Sequence, residues 1–160
     1  MRLFIIKFYC CFIFFGAGFS QKLLIPMDQL QTDHLKAYGV AFWTLKNGEE
    51  VDWLLNYRGG SFMLNYNAIL ERELTIRGVY FEPINTAILT DIFAQIEENN
   101  MDMVLLEKLP KIAVYSPPDK QPWDDAVTLA LTYAEIDYEV VFDEEVLSDK
   151  LENYDWLHLH

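Results

Sequence analysis

Two groups of residues in this 160-residue chain carry side chains able to do chemistry. The first is Asp28, His34 and the run Arg58-Gly59-Gly60-Ser61. An arginine beside glycine amides and a hydroxyl suits a carboxylate or phosphate group, while Asp28 and His34 offer acid-base or polar recognition. The same residues also fit an architectural role, as a tight glycine turn, a loop-closing aspartate and a histidine in an exposed first helical turn. The second group is Ser116, Asp119, Asp124, Asp143, Glu144, His158 and His160. His158 and His160 share one strand face by the two-residue period, and His-x-His beside carboxylates is a ligand type for zinc or another divalent cation. Asp143-Glu144-Glu145 reads equally as a helix start, where negative charge meets the positive helix end. No metal site is assigned, because the usual strand order would put another strand between the histidines and Asp143.

Motifs that would name a reaction are missing. There is no Gly-x-Gly-x-x-Gly, no phosphate loop ending in Gly-Lys-Ser/Thr, no Gly-x-Ser-x-Gly elbow and no His-Glu-x-x-His. No cofactor is therefore expected. The chain has 25 acidic and 12 basic residues, a formal charge of -13, which repels phosphate backbones and anionic membrane surfaces. Nucleic acid is excluded as an expected partner; a small molecule or an envelope protein remains. With 52% apolar and 15% aromatic residues, the composition is that of a folding domain and not of a disordered segment.

The elements that must position these residues follow from hydrophobic period and turn chemistry. A strand over residues 22–26 is followed by a helix over 34–46, capped by Thr32 or Asp33 and ended by Asn47-Gly48. Its stripe Leu35, Tyr38, Phe42 and Leu45 is expected to pack on a sheet. Strands follow over 50–57 and 62–66, then a helix over 67–77, a strand over 79–84, a helix to about 99 and a strand over 102–108. From residue 111 the pattern is β-α-β-α-β: strand 111–115, helix 123–136, strand 138–142, helix 145–153, strand 156–159. Apolar strands alternating with amphipathic helices predict an α/β fold with a mostly parallel sheet and helices on both faces. The expected division is a block over 21–109 and a second beginning at 110. The alternative is that the last three strands extend the first block's sheet.

Residues 1–20 have the layout of a signal peptide: two basic residues, an apolar run over 8–15, and small residues Gly18 and Ser20 before a cut between Ser20 and Gln21. An uncleaved anchor over 3–15 is the alternative. Cleavage implies a periplasmic or secreted protein with no stable membrane span. It also removes both cysteines, Cys10 and Cys11, so the mature chain holds no disulfide, thiolate metal ligand or cysteine nucleophile.

Several stretches carry a resemblance: Leu24-Ile25-Pro26-Met27-Asp28, Thr32-Asp33-His34-Leu35-Lys36-Ala37-Tyr38-Gly39, the run from Trp53 to Phe62, Pro122-Trp123-Asp124-Asp125-Ala126-Val127, and Tyr154-Asp155-Trp156-Leu157-His158-Leu159-His160. Over essentially all of 21–160 the chain resembles the N-terminal part of a family of exported bacterial proteins described as asparagine synthetase B-like. Its second block resembles the opening of a class I glutamine amidotransferase-like, flavodoxin-type domain. The resemblance implies that the family's chain continues past His160, so that this sequence is truncated. The elbow cysteine of a class I amidotransferase would then lie beyond residue 160.

Two functions are thus expected. The first is an exported, non-catalytic module that binds a small ligand or an envelope partner. The alternative is a glutamine amidotransferase, asparagine synthetase B-like enzyme or hydrolase whose catalytic residues lie beyond residue 160. Four tryptophans, Trp43, Trp53, Trp123 and Trp156, are many for one small domain; as a large exposed aromatic patch they would instead mark an envelope structural component.

Overall fold

A computed structural model describes residues 22–118 and 126–159. The chain runs β1 (Lys22–Ile25), α1 (His34–Lys46), β2 (Val51–Leu55), β3 (Ser61–Asn65), α2 (Ala68–Ile76), β4 (Glu82–Ile84), α3 (Thr86–Glu98) and β5 (Asp102–Leu106), then β6 (Ile112–Tyr115), α4 (Ala126–Ala134), β7 (Glu139–Val141), α5 (Asp143–Leu147) and β8 (Trp156–Leu159). Helix starts are set by side chains that take up otherwise unpaired amides. Asp33 accepts from the Lys36 amide, Asn67 from Leu70 and Asn85 from Ile88.

The strands form two sheets. Five pair in the order β4-β1-β3-β2-β5, every pairing antiparallel, and three pair in the parallel order β7-β6-β8. The fold is mixed α/β, but its main sheet is antiparallel, which overturns the expectation of a mostly parallel one. The crossovers through α1 and α2 do make β1 run with β2, and β3 with β4. The tight connection over residues 56–60, however, turns β3 back between β1 and β2, so no parallel strands become neighbours. The result is the split β-α-β arrangement, with β5 added beside β2. The last three strands do not extend this sheet; they form their own.

Each face of the large sheet is covered. Leu23 and Ile25 of β1 with Phe62 and Leu64 of β3 pack against Ala37, Val40 and Ala41 of α1 and Leu70 and Leu74 of α2. Leu24 and Met63 point the other way, onto Ile92 and Ile96 of α3. The expected strand over 79–84 is shorter than its apolar run. The side-chain amide of Gln31, 3% exposed, takes the place of a neighbouring strand, accepting from the Tyr80 amide and donating to the carbonyls of Tyr80 and Pro26.

The sheets meet through α1 and α4. Phe42 of α1 joins Ile112, Val114 and Leu131 in a third apolar cluster. The residues of α1 on the large sheet are Ala37, Val40 and Ala41, with Leu45 packed beside them. Of the expected stripe only Phe42 joins the second sheet's cluster; Tyr38 meets Phe62 of β3, and Leu35 is exposed. Gly39 lets the helices touch backbone to backbone. Polar contacts surround this seam: Lys36 donates to Glu135 at 2.6 Å, Arg77 reaches the same carboxylate at 3.1 Å, Tyr133 donates to Asp33, and Lys46 pairs with Asp137.

Candidate functional site

The strand ends bring the first group of candidates together. β1 and β2 finish at the same edge, so the loop after β1 lies beside the β2–β3 connection. Arg58, in a left-handed conformation (φ 46°, ψ 46°), projects its guanidinium across the gap. Its Nε donates to Asp28 Oδ2 at 2.7 Å, and its two terminal nitrogens donate to the two Glu82 oxygens at 2.9 and 3.0 Å. Hydrogen bonding to Glu82, and then to Asp28, raises the Arg58 pKa against the effect of burial. The hydrogen bond from Arg58 holds Asp28 below the ordinary carboxylate range, with the Leu30 amide adding to it.

The glycines serve this geometry. A Cβ on Gly59 would lie 2.3 Å from the Met27 carbonyl oxygen, and the Arg58 carbonyl accepts from the Met27 amide at 3.1 Å. Ser61 is fully buried and donates to the Tyr57 carbonyl at 3.0 Å; Gly60 gives its carbonyl to Trp53 Nε1 at 3.1 Å. His34 Nε2 lies 3.1 Å from the Met27 carbonyl oxygen. Asp28, Arg58 and Glu82 therefore form a clamp that ties together the loop after β1, the β2–β3 turn and β4. An anion arriving here meets an arginine already held by two carboxylates. Glu82 is the member that the motif search passes over; it sits at the start of a strand with nothing in its neighbours to mark it.

The second group is spread out. The Ser116 amide donates to the Val141 carbonyl at 3.0 Å, and the Tyr115 hydroxyl donates to Asp143 at 2.7 Å, which raises the tyrosine pKa. His158 lies in β8 opposite Val114, and β6 stands between β8 and β7, the strand that leads to Asp143. His160, Asp119 and Asp124 fall outside the described residues. Among the described residues no three His, Cys, Asp or Glu side chains are placed to hold a metal ion.

What sequence reading misses is the space between the two sheets. A cleft of about 270 Å³ opens where α1, β2, β3, the end of β5, β6, α4 and β8 converge. Its lining is apolar or aromatic throughout, with Tyr38, Phe42, Trp53, Phe62 and Trp156 as the large members. Phe62 stacks on Trp53 with ring centroids 6.2 Å apart and meets Tyr38 edge-on at 5.4 Å, so these rings are mutually fixed. The signal was present in the tryptophan content and the α1 stripe, but neither says that two sheets would share one helix.

No protein-family model, curated protein or solved structure matches this chain. Among the described residues no helix is long and apolar enough to cross a membrane.

Proposed function

We propose that this chain is an exported, non-catalytic binding module that takes an apolar or aromatic small molecule between its two sheets. The wholly apolar, ring-lined cleft of about 270 Å³ carries the reading. Small-ligand pockets run from roughly 300 Å³ upward and are built mainly from hydrophobic and aromatic side chains. Such a site gains affinity from the area it dries, about 0.8 kcal/mol for each methylene buried. The ionisable groups near the strand ends support the same reading, since they spend their hydrogen bonds on one another: Arg58 on Asp28 and Glu82, and Tyr115 on Asp143. Export rests on the layout of residues 1–20.

A thermal-shift panel tests this. Naphthalene-sized apolar compounds are expected to raise the melting temperature in a saturable way, while glutamine, dicarboxylates and phosphate leave it unchanged. Stabilisation by the polar set alone would overturn the proposal. A second reading, an amidotransferase-like site at the carboxyl ends of β6, β7 and β8, draws on the parallel order of those strands. It requires release of ammonia from glutamine by the protein.

A further inference from the structure

Helices α1 to α4 end in the same way. Each chain turn passes through one left-handed residue, whose amide and the amide after it donate to carbonyls inside the last turn. Gly48 (φ 79°) takes that place after α1, Gly78 (φ 69°) after α2 and Asn100 (φ 51°) after α3. Glycine and asparagine are the residues this conformation suits. After α4 the place is held by Glu135, at φ 61°. Its amide donates to the Thr132 carbonyl at 3.1 Å, and the Ile136 amide donates to the Leu131 carbonyl at 2.9 Å. A glutamate is strained in this conformation where a glycine would not be.

What Glu135 gains lies outside its own helix. Its carboxylate accepts from Lys36 of α1 at 2.6 Å and lies 3.1 Å from Arg77, at the end of α2. The Arg77 side chain is 8% exposed, its other charged contact is Glu73, and its Nη1 is buried with no hydrogen-bond partner among the described residues. Glycine at 135 would suit the turn better and would leave Arg77 with Glu73 alone. A residue that breaks the local rule while pairing twice across the seam marks a role at the seam.

The same turn decides what faces the cleft. Leu131 and Ile136, joined by the closing hydrogen bond, belong to the apolar cluster around Phe42, and both line the cleft. In turns of this type the two residues so joined commonly pack on one another. Anchoring Glu135 to α1 and α2 therefore fixes the α4 wall of the cleft against the α1 wall.

We propose that Glu135 is the positioning residue of the cleft: its two ion pairs hold the end of α4, and with it Leu131 and Ile136, in the arrangement that receives the ligand. The binding half of this proposal rests on the cleft being a ligand site. Walls already in place favour binding because less freedom is lost when the ligand arrives.

Two measurements on Glu135→Gly and Glu135→Gln test it. One is a naphthalene titration of the protein followed by tryptophan fluorescence. The other, made without ligand, is the set of nuclear Overhauser contacts between the Leu131 and Ile136 methyl groups and the Phe42 ring. Both variants should bind naphthalene roughly tenfold more weakly than the parent and show weaker contacts, with helix content unchanged. Lys36→Met should weaken binding in the parent but change the Glu135→Gln variant little. If Glu135 served only to end α4, glycine would be the better residue, and Glu135→Gly would keep both contacts and affinity; that result overturns the proposal. So does a Glu135→Gln variant that matches the parent. A parent that fails to bind naphthalene would refute the cleft reading alone, since the ligand-free contacts still decide whether Glu135 positions the wall.

Discussion

Gly39 and Ala134 are in backbone contact across the seam between the two sheets: a Cβ on Gly39 would sit 1.8 Å from the Ala134 carbonyl oxygen. Alanine is ordinarily the better helix residue by about 1 kcal/mol. Here the overlap is with main chain, which has nowhere to yield, so Gly39→Ala is expected to push α1 and α4 apart. The expected result is a fall in urea midpoint equivalent to about 2–3 kcal/mol, with larger exposure of the cleft tryptophans. Gly48→Ala is the control. Unlike helical Gly39, its site has positive φ and no atom within 4 Å, so only the left-handed backbone cost of about 1 kcal/mol applies.

The clamp at the strand ends sets an acid dependence. Asp28 is held below its ordinary value of 3.8 chiefly by the hydrogen bond from Arg58. Glu135 is held below 4.5 first by Lys36, with Arg77 contributing. A carboxyl group whose pKa is lower in the folded chain binds protons more readily when unfolded. Its stabilisation is fully present above the unfolded value and lost as pH falls through the folded one. Stability should therefore be flat above about pH 5 and decline below pH 4. Asp28→Asn should cost about 1 kcal/mol at neutral pH, and its gap to the parent should narrow as pH falls below 3.8, measured by urea unfolding across that range. A penalty that persists unchanged in acid would contradict the ion pair.

Gly59 offers a sharper probe of the same corner. At φ +84°, with the Met27 carbonyl oxygen 2.3 Å from a prospective Cβ, Gly59→Ala combines backbone strain and overlap. A loss of about 3 kcal/mol is expected, accompanied by displacement of Arg58 from Asp28. Nuclear magnetic resonance of the Arg58 Nε proton reports that displacement directly.

Across the seam, Tyr133 donates to Asp33, and this bond raises the phenol pKa. Asp33 also caps α1 through the Lys36 amide. Asn caps helices as well as Asp, so Asp33→Asn should keep the helix while letting one tyrosine ionise at lower pH. Difference absorbance of phenolate, parent minus variant, measures it; superimposable titrations would show that the two blocks are not linked here.

Much of the element order is legible from sequence because it depends on local signals. The span of α1 follows from its Asp33 cap and the Asn47-Gly48 stop, and the strands from their apolar runs. Sheet order is not local. A crossover helix fixes the relative direction of the strands it joins but not whether a third strand enters between them, and β3 does enter. Likewise the run from Val79 to Phe81 has strand composition, yet Gln31, distant in sequence, supplies its partner groups. Asp28 and Arg58 are legible as a polar pair at one edge; their closure on Glu82 is not, because that contact depends on β4 lying next to β1. The cleft follows only from two sheets sharing α1.

The most direct test of the central claim is a tryptophan-fluorescence titration with a naphthalene-sized apolar probe, comparing the parent with a Leu45→Phe/Leu106→Phe variant. Both leucines are half-buried and line the cleft, so enlarging them fills the space without touching the clamp. Trp53 and Trp156 lie in the lining and should report occupancy. The account predicts a saturable, one-to-one change in the parent and its loss in a variant of unchanged circular dichroism. Equal binding by both proteins would contradict it.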